Sequence, residues 1–396
     1  MQLSRGASLT GPSRHSDGII ACKPGGENSM RIIPILFVSW LALSTNDLGA
    51  EPRTRNVILV TLDGVRTQEI FSGMDAEIAA HSAQQVYSEI AVAEERYWAE
   101  SPAERRKLLM PFFWGTLVPS GMVFGNEATG SRMLVRNAVK WSSPGYAEML
   151  TGEPHADIVD NRLVRYPFRT VLEFVAERKD LAREAVAQIG SWNAFALLAA
   201  SHEDAFVMNA GYEPFPADVS TPAIDHLVGL RRDVQQLWEE SSNDTLTYHI
   251  AKEYLNEHEP RLLWLGMSQS DDWAHADRYD RLLEYLHLTD RLLADLWATI
   301  EANPRYKGKT TLIVTTDHGR GLGPSDWAEH DETIPGSESI WLAVIGPDTP
   351  HLGEAVPEGT VYQADIAATI VQLFGLNPDS FNRDAGPPLP GVISAR

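Results

Sequence analysis

The sequence predicts an α/β fold with a mainly parallel central sheet flanked by helices on both faces. Three observations predict it: short β-branched runs that are apolar at nearly every position, longer amphipathic stretches between them, and acids or histidines just past the ends of the apolar runs. Continuous apolar runs suit strands covered on both faces, and open α/β sheets collect their ligands beyond the carboxyl ends of their strands. Strands are expected over 56–61, 184–189, 261–266, 310–315 and 340–345. Helices are expected over 170–178, 222–239, 279–302 and 364–374, the last with Ile366, Ala367, Ile370, Val371 and Phe374 on one face. The segment 72–140 fits the alternation least well, being charged and helical at first and Gly-rich later. It reads as an insertion over the sheet edge. Its aromatics Tyr97, Trp98, Phe112, Phe113 and Trp114 are either its own core or the lining of a substrate cap.

Composition narrows the function classes. The 396 residues are 43% hydrophobic and 22% charged, ample for a folded core. Against 33 Lys and Arg stand 54 Asp and Glu, and the net charge of -21 leaves duplex nucleic acid and basic membrane-surface binding without an electrostatic footprint. The single cysteine, Cys22, cannot form an intramolecular disulfide or a multi-thiolate metal site, so a bound metal would use Asp, Glu and His.

An apolar run over 32–43 follows Arg31 and precedes Leu48, Gly49 and Ala50. It is shorter than the roughly 20 residues of a membrane-spanning helix and reads as a signal peptide cleaved after Ala50. Residues 1–50 are therefore expected to be an upstream extension plus signal peptide, and 51–396 a catalytic domain of a periplasmic or secreted protein without stable membrane insertion.

Four segments carry candidate chemistry. Asp63 ends the first apolar run and Gly64 permits a sharp exit, although Asp-Gly is also a common turn pair. In the second, Ser143 can cap a helix that starts at Pro144 and stops at Gly152. Ser142 then sits just before a helix N-terminus, whose amides and dipole favour a phosphoryl group; an ordinary capped helix has the same pattern. In the third, Asp271 and His275 are four apart, so a helical turn sets both on one side as a shared metal requires; Asp272 offers a competing register, and a surface ion pair would look alike. The fourth is Asp317-His318-Gly319 at the end of another apolar run, followed by His330, which competes with His351 nearby. Together three Asp, three His and one Ser suit two divalent ions.

In order, these motifs resemble those of the alkaline phosphatase superfamily, which includes nucleotide pyrophosphatases/phosphodiesterases, cofactor-independent phosphoglycerate mutases and sulfatases. The resemblance runs from Asn56 to about Pro378, with Ser142-x-Pro144 and Leu150-Thr151-Gly152 similar to the nucleophile segment and 363–370 similar to the C-terminal helix. It implies two divalent ions, zinc or alternatively manganese, with Asp63, Ser142, Asp317 and His318 around one and Asp271, His275 and His330 around the other. It further implies that Asn161 donates to a phosphate oxygen, as an asparagine does in the phosphodiesterase branch, and that the partner is a small phosphoester hydrolysed through a Ser142 phosphoenzyme. Tyr146 stands where a sulfatase has arginine, and Gly64 where it usually has a second acid, so this chain departs from the sulfatases. The alternatives are a sulfatase-like or mutase-like enzyme, or a metal-binding pseudoenzyme that recognises phosphorylated ligands.

Overall fold

Every residue of the strand Asn56–Leu62 (β1) is buried, and its side chains alternate between two separate cores. Ile58, Val60 and Leu62 enter one cluster, while Val57 and Leu59 enter the other. The same alternation places Leu263 and Leu265 opposite Leu262 and Trp264, and Leu312 and Val314 opposite Ile313. An apolar run without polar alternation thus marks a strand buried on both faces.

The protein is described by a computed structural model that covers residues 52–394. The expected signal peptide and cleavage site lie outside the described residues. Besides β1, the strands are Met122–Phe124 (β2), Arg132–Leu134 (β3), Val186–Gly190 (β4), Val207–Ala210 (β5), Leu262–Met267 (β6), Thr310–Thr315 (β7), Leu342–Ile345 (β8), Gly353–Glu354 (β9) and Thr360–Tyr362 (β10). Eight form one sheet in the order β5-β4-β6-β1-β7-β8-β2-β9, and β10 pairs with β3 in a small second sheet. From β5 through β7 all pairings are parallel, whereas β8 is antiparallel to both β7 and β2. The α/β class and mainly parallel sheet are as the sequence predicts.

Residues 72–140 do more than cover an edge. Their first half forms helices, including Ile90–Tyr97 and Pro102–Leu109, but β2 joins the main sheet between β8 and β9. Tyr97, Phe113 and Trp114 are buried core residues rather than a cap. Asp290, from the long helix Tyr279–Ala302, accepts the Phe112 and Phe113 amides at 2.7 and 2.8 Å. No helix among the described residues is long and apolar enough to cross a membrane.

Register explains why the candidate residues meet. Thr61 pairs with Thr315 across β1 and β7, so two places further on Asp63 lies beside Asp317. Leu62 pairs with Met267 on the other side, which brings the helix Gln269–His275 up against the same strand ends.

Candidate active site

The helix Ser142–Thr151 points its N-terminus at these strand ends, and Ser142 is its first residue, two positions earlier than the Pro144 start predicted with Ser143 as cap. Trp141 occupies the N-cap instead. The approach is close: a Cβ on Gly145 would stand 2.6 Å from the Asp317 carbonyl oxygen, so only glycine lets the helix come this near β7. At the other end Gly152 has φ 83°, the left-handed stop expected of it.

All seven candidate metal ligands converge, in two adjoining groups. In the first, His318 Nε2 lies 3.4 Å from Asp63 Oδ1, 3.4 Å from Asp317 Oδ2 and 3.4 Å from Ser142 Oγ, while Ser142 Oγ is 3.5 Å from Asp63 Oδ1. In the second, His275 Nε2 lies 3.3 Å from Asp271 Oδ2 and 3.1 Å from His330 Nε2, and His330 Nε2 is 3.8 Å from Asp271 Oδ1. Ligand atoms bonded at about 2.0–2.1 Å around a tetrahedral ion are separated by about 3.3 Å. Both groups have that spacing. Asp271 and not Asp272 faces the histidines, and His318 stands 3.8 Å from Asp271 Oδ1 at the junction of the two groups.

Hydrogen bonds to backbone carbonyls orient two of the imidazoles for ligation. His318 Nδ1 donates to the Gly319 carbonyl at 2.9 Å, and His330 Nδ1 donates to the Lys140 carbonyl at 2.9 Å. When the rings are neutral, each Nε2 lone pair is turned toward the carboxylates. Burial, reinforced by the charge on His318, holds His275 and His330 below the usual imidazole range, so both stay neutral.

The first group carries a charge conflict that a cation would resolve. Burial and the neighbouring Asp63 push the Asp317 carboxyl up to about 7. Burial opposes the charge on His318, but Asp317 and Asp63 outweigh it and lift the imidazole to about 9. Asp317 Oδ2 is buried without a hydrogen-bond partner, a costly arrangement for a carboxylate. An orphaned buried oxygen, a second carboxylate and an oriented imidazole fit a divalent ion.

Asn161 faces the same cleft, and its Oδ1 accepts the Ser143 amide at 2.9 Å. That amide is therefore occupied rather than free for a ligand, and the carboxamide is oriented with its NH2 group available. The cleft has a volume of about 440 Å³ and is bordered by Ser142, Asp63, Asp271 and His275, with Trp192 and Trp238 on its wall.

Two supporting residues escaped the sequence reading. Tyr146 Oη donates to Asp63 Oδ2 at 3.1 Å, and Arg320 pairs with Asp271 and donates to the Gly64 carbonyl at 3.0 Å. The signal for Tyr146 was its place four residues after Ser142, on the same helix face. The signal for Arg320 was its nearness to His318, but nothing in the spacing shows that its side chain turns back into the protein, where it is fully buried.

No family model and no curated protein matches the sequence. Similarity is found among solved structures. Alkaline phosphatase PafA matches with a TM-score of 0.53 at 10% identity over 87% of this chain and 99% of that one. The phosphonate monoester hydrolase of Agrobacterium radiobacter matches with a TM-score of 0.52 at 13% identity, covering 85% and 77%. The lipoteichoic acid synthase LtaP from Listeria monocytogenes matches with a TM-score of 0.52 at 12% identity, covering 84% and 75%. By its mostly parallel sheet and these likenesses, the chain has the fold of the alkaline phosphatase superfamily.

Proposed function

We propose that the protein is an exported, metal-dependent phosphoester hydrolase with Ser142 as nucleophile and two divalent ions, zinc or alternatively manganese, held by the seven residues. One observation carries the reading: the Ser142 hydroxyl, at a helix N-terminus, keeps the same spacing to Asp63 and His318 that the other donor atoms keep among themselves. Two of the similar structures are named as a phosphatase and a phosphonate monoester hydrolase.

Bound divalent ions supply Lewis acidity, lowering the cost of a serine alkoxide and of charge on a departing oxygen. Asp63, Asp317 and His318 hold one ion beside Ser142; Asp271, His275 and His330 hold the other. Ser142 Oγ attacks phosphorus in line as the P–O bond to the esterified alcohol breaks, and the serine proton is lost to solvent while the departing alkoxide takes one up, leaving free alcohol and a phosphoryl group on Ser142. The Asn161 NH2 group donates to an equatorial oxygen, held in place by its own bond to the Ser143 amide. The helix dipole favours the negative charge on the phosphoryl group. Water then displaces Ser142 from phosphorus in a second in-line step, which returns the free hydroxyl.

The test compares the metal-replete parent with Ser142→Ala on aryl phosphodiesters, phosphomonoesters and sulfate esters. The parent hydrolyses a phosphoester, and the variant loses at least about a thousandfold in kcat while retaining its metals. Turnover surviving in Ser142→Ala would remove the serine from the mechanism, and metal binding by the parent without turnover of any ester would leave a binding protein.

A further inference from the structure

Part of the cleft wall is built from two hydrogen-bonded loops. Asn193 donates its amide to the Glu240 carbonyl at 3.0 Å, Ser242 donates to the Ser191 carbonyl at 2.9 Å, and Trp192 and Ser241 form an isolated antiparallel bridge. This pairing fixes two tryptophans. Trp192 lies edge-on to Phe195 with ring centroids 5.5 Å apart, and Trp238 lies edge-on to Trp273 at 4.7 Å. Trp192 Nε1 also donates to Glu240 Oε2 at 3.3 Å, drawing that carboxylate against the indole.

The charges on this wall have one sign. Glu239, Glu240 and Asp272 all line the cleft, and none of its lining residues is Lys or Arg. Asp272 Oδ2 is buried and has no hydrogen-bond partner. Asp63 and Asp271 are accounted for by the proposed ions and burial pushes Asp272 toward its neutral form, so Glu239 and Glu240 carry the charge of this wall, with no Lys or Arg beside them in the cleft. The second negative charge of a phosphomonoester would be repelled by these glutamates, and no Lys or Arg lines the cleft to offset them. An organic ammonium ion would instead meet indole rings and carboxylates together, a combination that recognises quaternary nitrogen.

We propose that the cleft takes phosphodiesters in which one esterified alcohol carries an organic ammonium group, seated against Trp192 and Trp238 and neutralised by Glu239 and Glu240. The proposal rests on the phosphoester hydrolase reading. The diester phosphate contributes one negative charge at Ser142 and the ammonium one positive charge at the wall, so the bound substrate has no net charge. Hydrolysis breaks one P–O bond and adds water across it, and requires no further reactant.

The experiment compares two esters that differ only in charge, 4-nitrophenyl phosphocholine and 4-nitrophenyl 3,3-dimethylbutyl phosphate, on the metal-replete protein. The expected result is a kcat/KM ratio of about tenfold or more in favour of the cationic ester, falling toward one in the Glu239→Gln, Glu240→Gln double variant. Tetramethylammonium chloride is expected to inhibit the parent competitively, beyond an equal concentration of sodium chloride, which tests the site without relying on a variant that folds. Equal kcat/KM for the two esters, or a ratio that the double variant leaves unchanged, would overturn the proposal. If neither ester is turned over while an aryl phosphomonoester is, the proposal is overturned; if no ester is turned over, the hydrolase reading fails by itself. Calorimetric titration with tetramethylammonium then decides the cation site: binding supports it, and no binding overturns it.

Discussion

Tyr146 Oη donates to one oxygen of Asp63 at 3.1 Å, while Ser142, one helical turn earlier, lies 3.5 Å from the other. A single helix face therefore holds both oxygens of one candidate ligand. Desolvation by its full burial, with Asp317 and Asp63 next to it, raises the tyrosine well above its ordinary range, so it remains a neutral donor. Tyr146→Phe is expected to loosen Asp63 and weaken binding at the first metal position by about 10–100-fold, as loss of an outer-shell hydrogen bond does. A metal-binding isotherm checks it, and affinity equal to the parent would show that the bond does not orient Asp63.

Without metal, Asp317 at about 7 and His318 at about 9 hold protons at neutral pH that a bound ion must displace. Both are raised above their ordinary values, so the protonated forms dominate below about pH 7 and are lost on rising through about 9. Divalent-ion affinity should accordingly increase across that window, with proton release on binding. Titration calorimetry in buffers of different ionisation enthalpy measures the release directly; binding without proton release would contradict it.

Gly145→Ala tests the close approach of the helix to β7. Its new Cβ would stand 2.6 Å from the Asp317 carbonyl, a backbone atom that cannot swing away. The expected cost is about 1–3 kcal/mol of stability, together with weakened metal binding as Ser142 shifts from Asp63 and His318. Chemical denaturation and a metal titration of the same variant report both quantities.

Away from the site, burial lifts Asp290 to about 6, although it accepts the Phe112 and Phe113 amides. Because the folded value lies above the unfolded 3.8, its contribution is present below about pH 4 and is lost as pH rises through about 6. Metal-free Asp290→Asn should therefore show a stability deficit relative to the parent that narrows by about 2 kcal/mol between pH 4 and pH 7. A deficit constant with pH would mean that Asp290 does not titrate in this range.

The legible parts of the fold were those where burial writes itself into local composition. β1, β4, β6, β7 and β8 are near-continuous apolar runs and could be read directly, but the antiparallel direction of β8 could not, because an apolar run carries no direction. Met122–Phe124, Gly353–Glu354 and Thr360–Tyr362 are two or three residues long and have no period to detect. Asp63, Asp271, His275, Asp317 and His318 were legible because each follows a strand end at a spacing that constrains where it can go. Choosing between Asp271 and Asp272 required the orientation of a short helix. Arg320, Trp192 and Trp238 were illegible because their partners lie elsewhere in the chain and no local pattern records the pairing.

Anomalous diffraction from the metal-loaded protein tests the central claim most directly. Two peaks are predicted, one bonded by Asp63, Asp317, His318 and Ser142 and the other by Asp271, His275 and His330. A cleft with no anomalous scatterer at saturating zinc and manganese, or a scatterer bonded by none of these side chains, would contradict it.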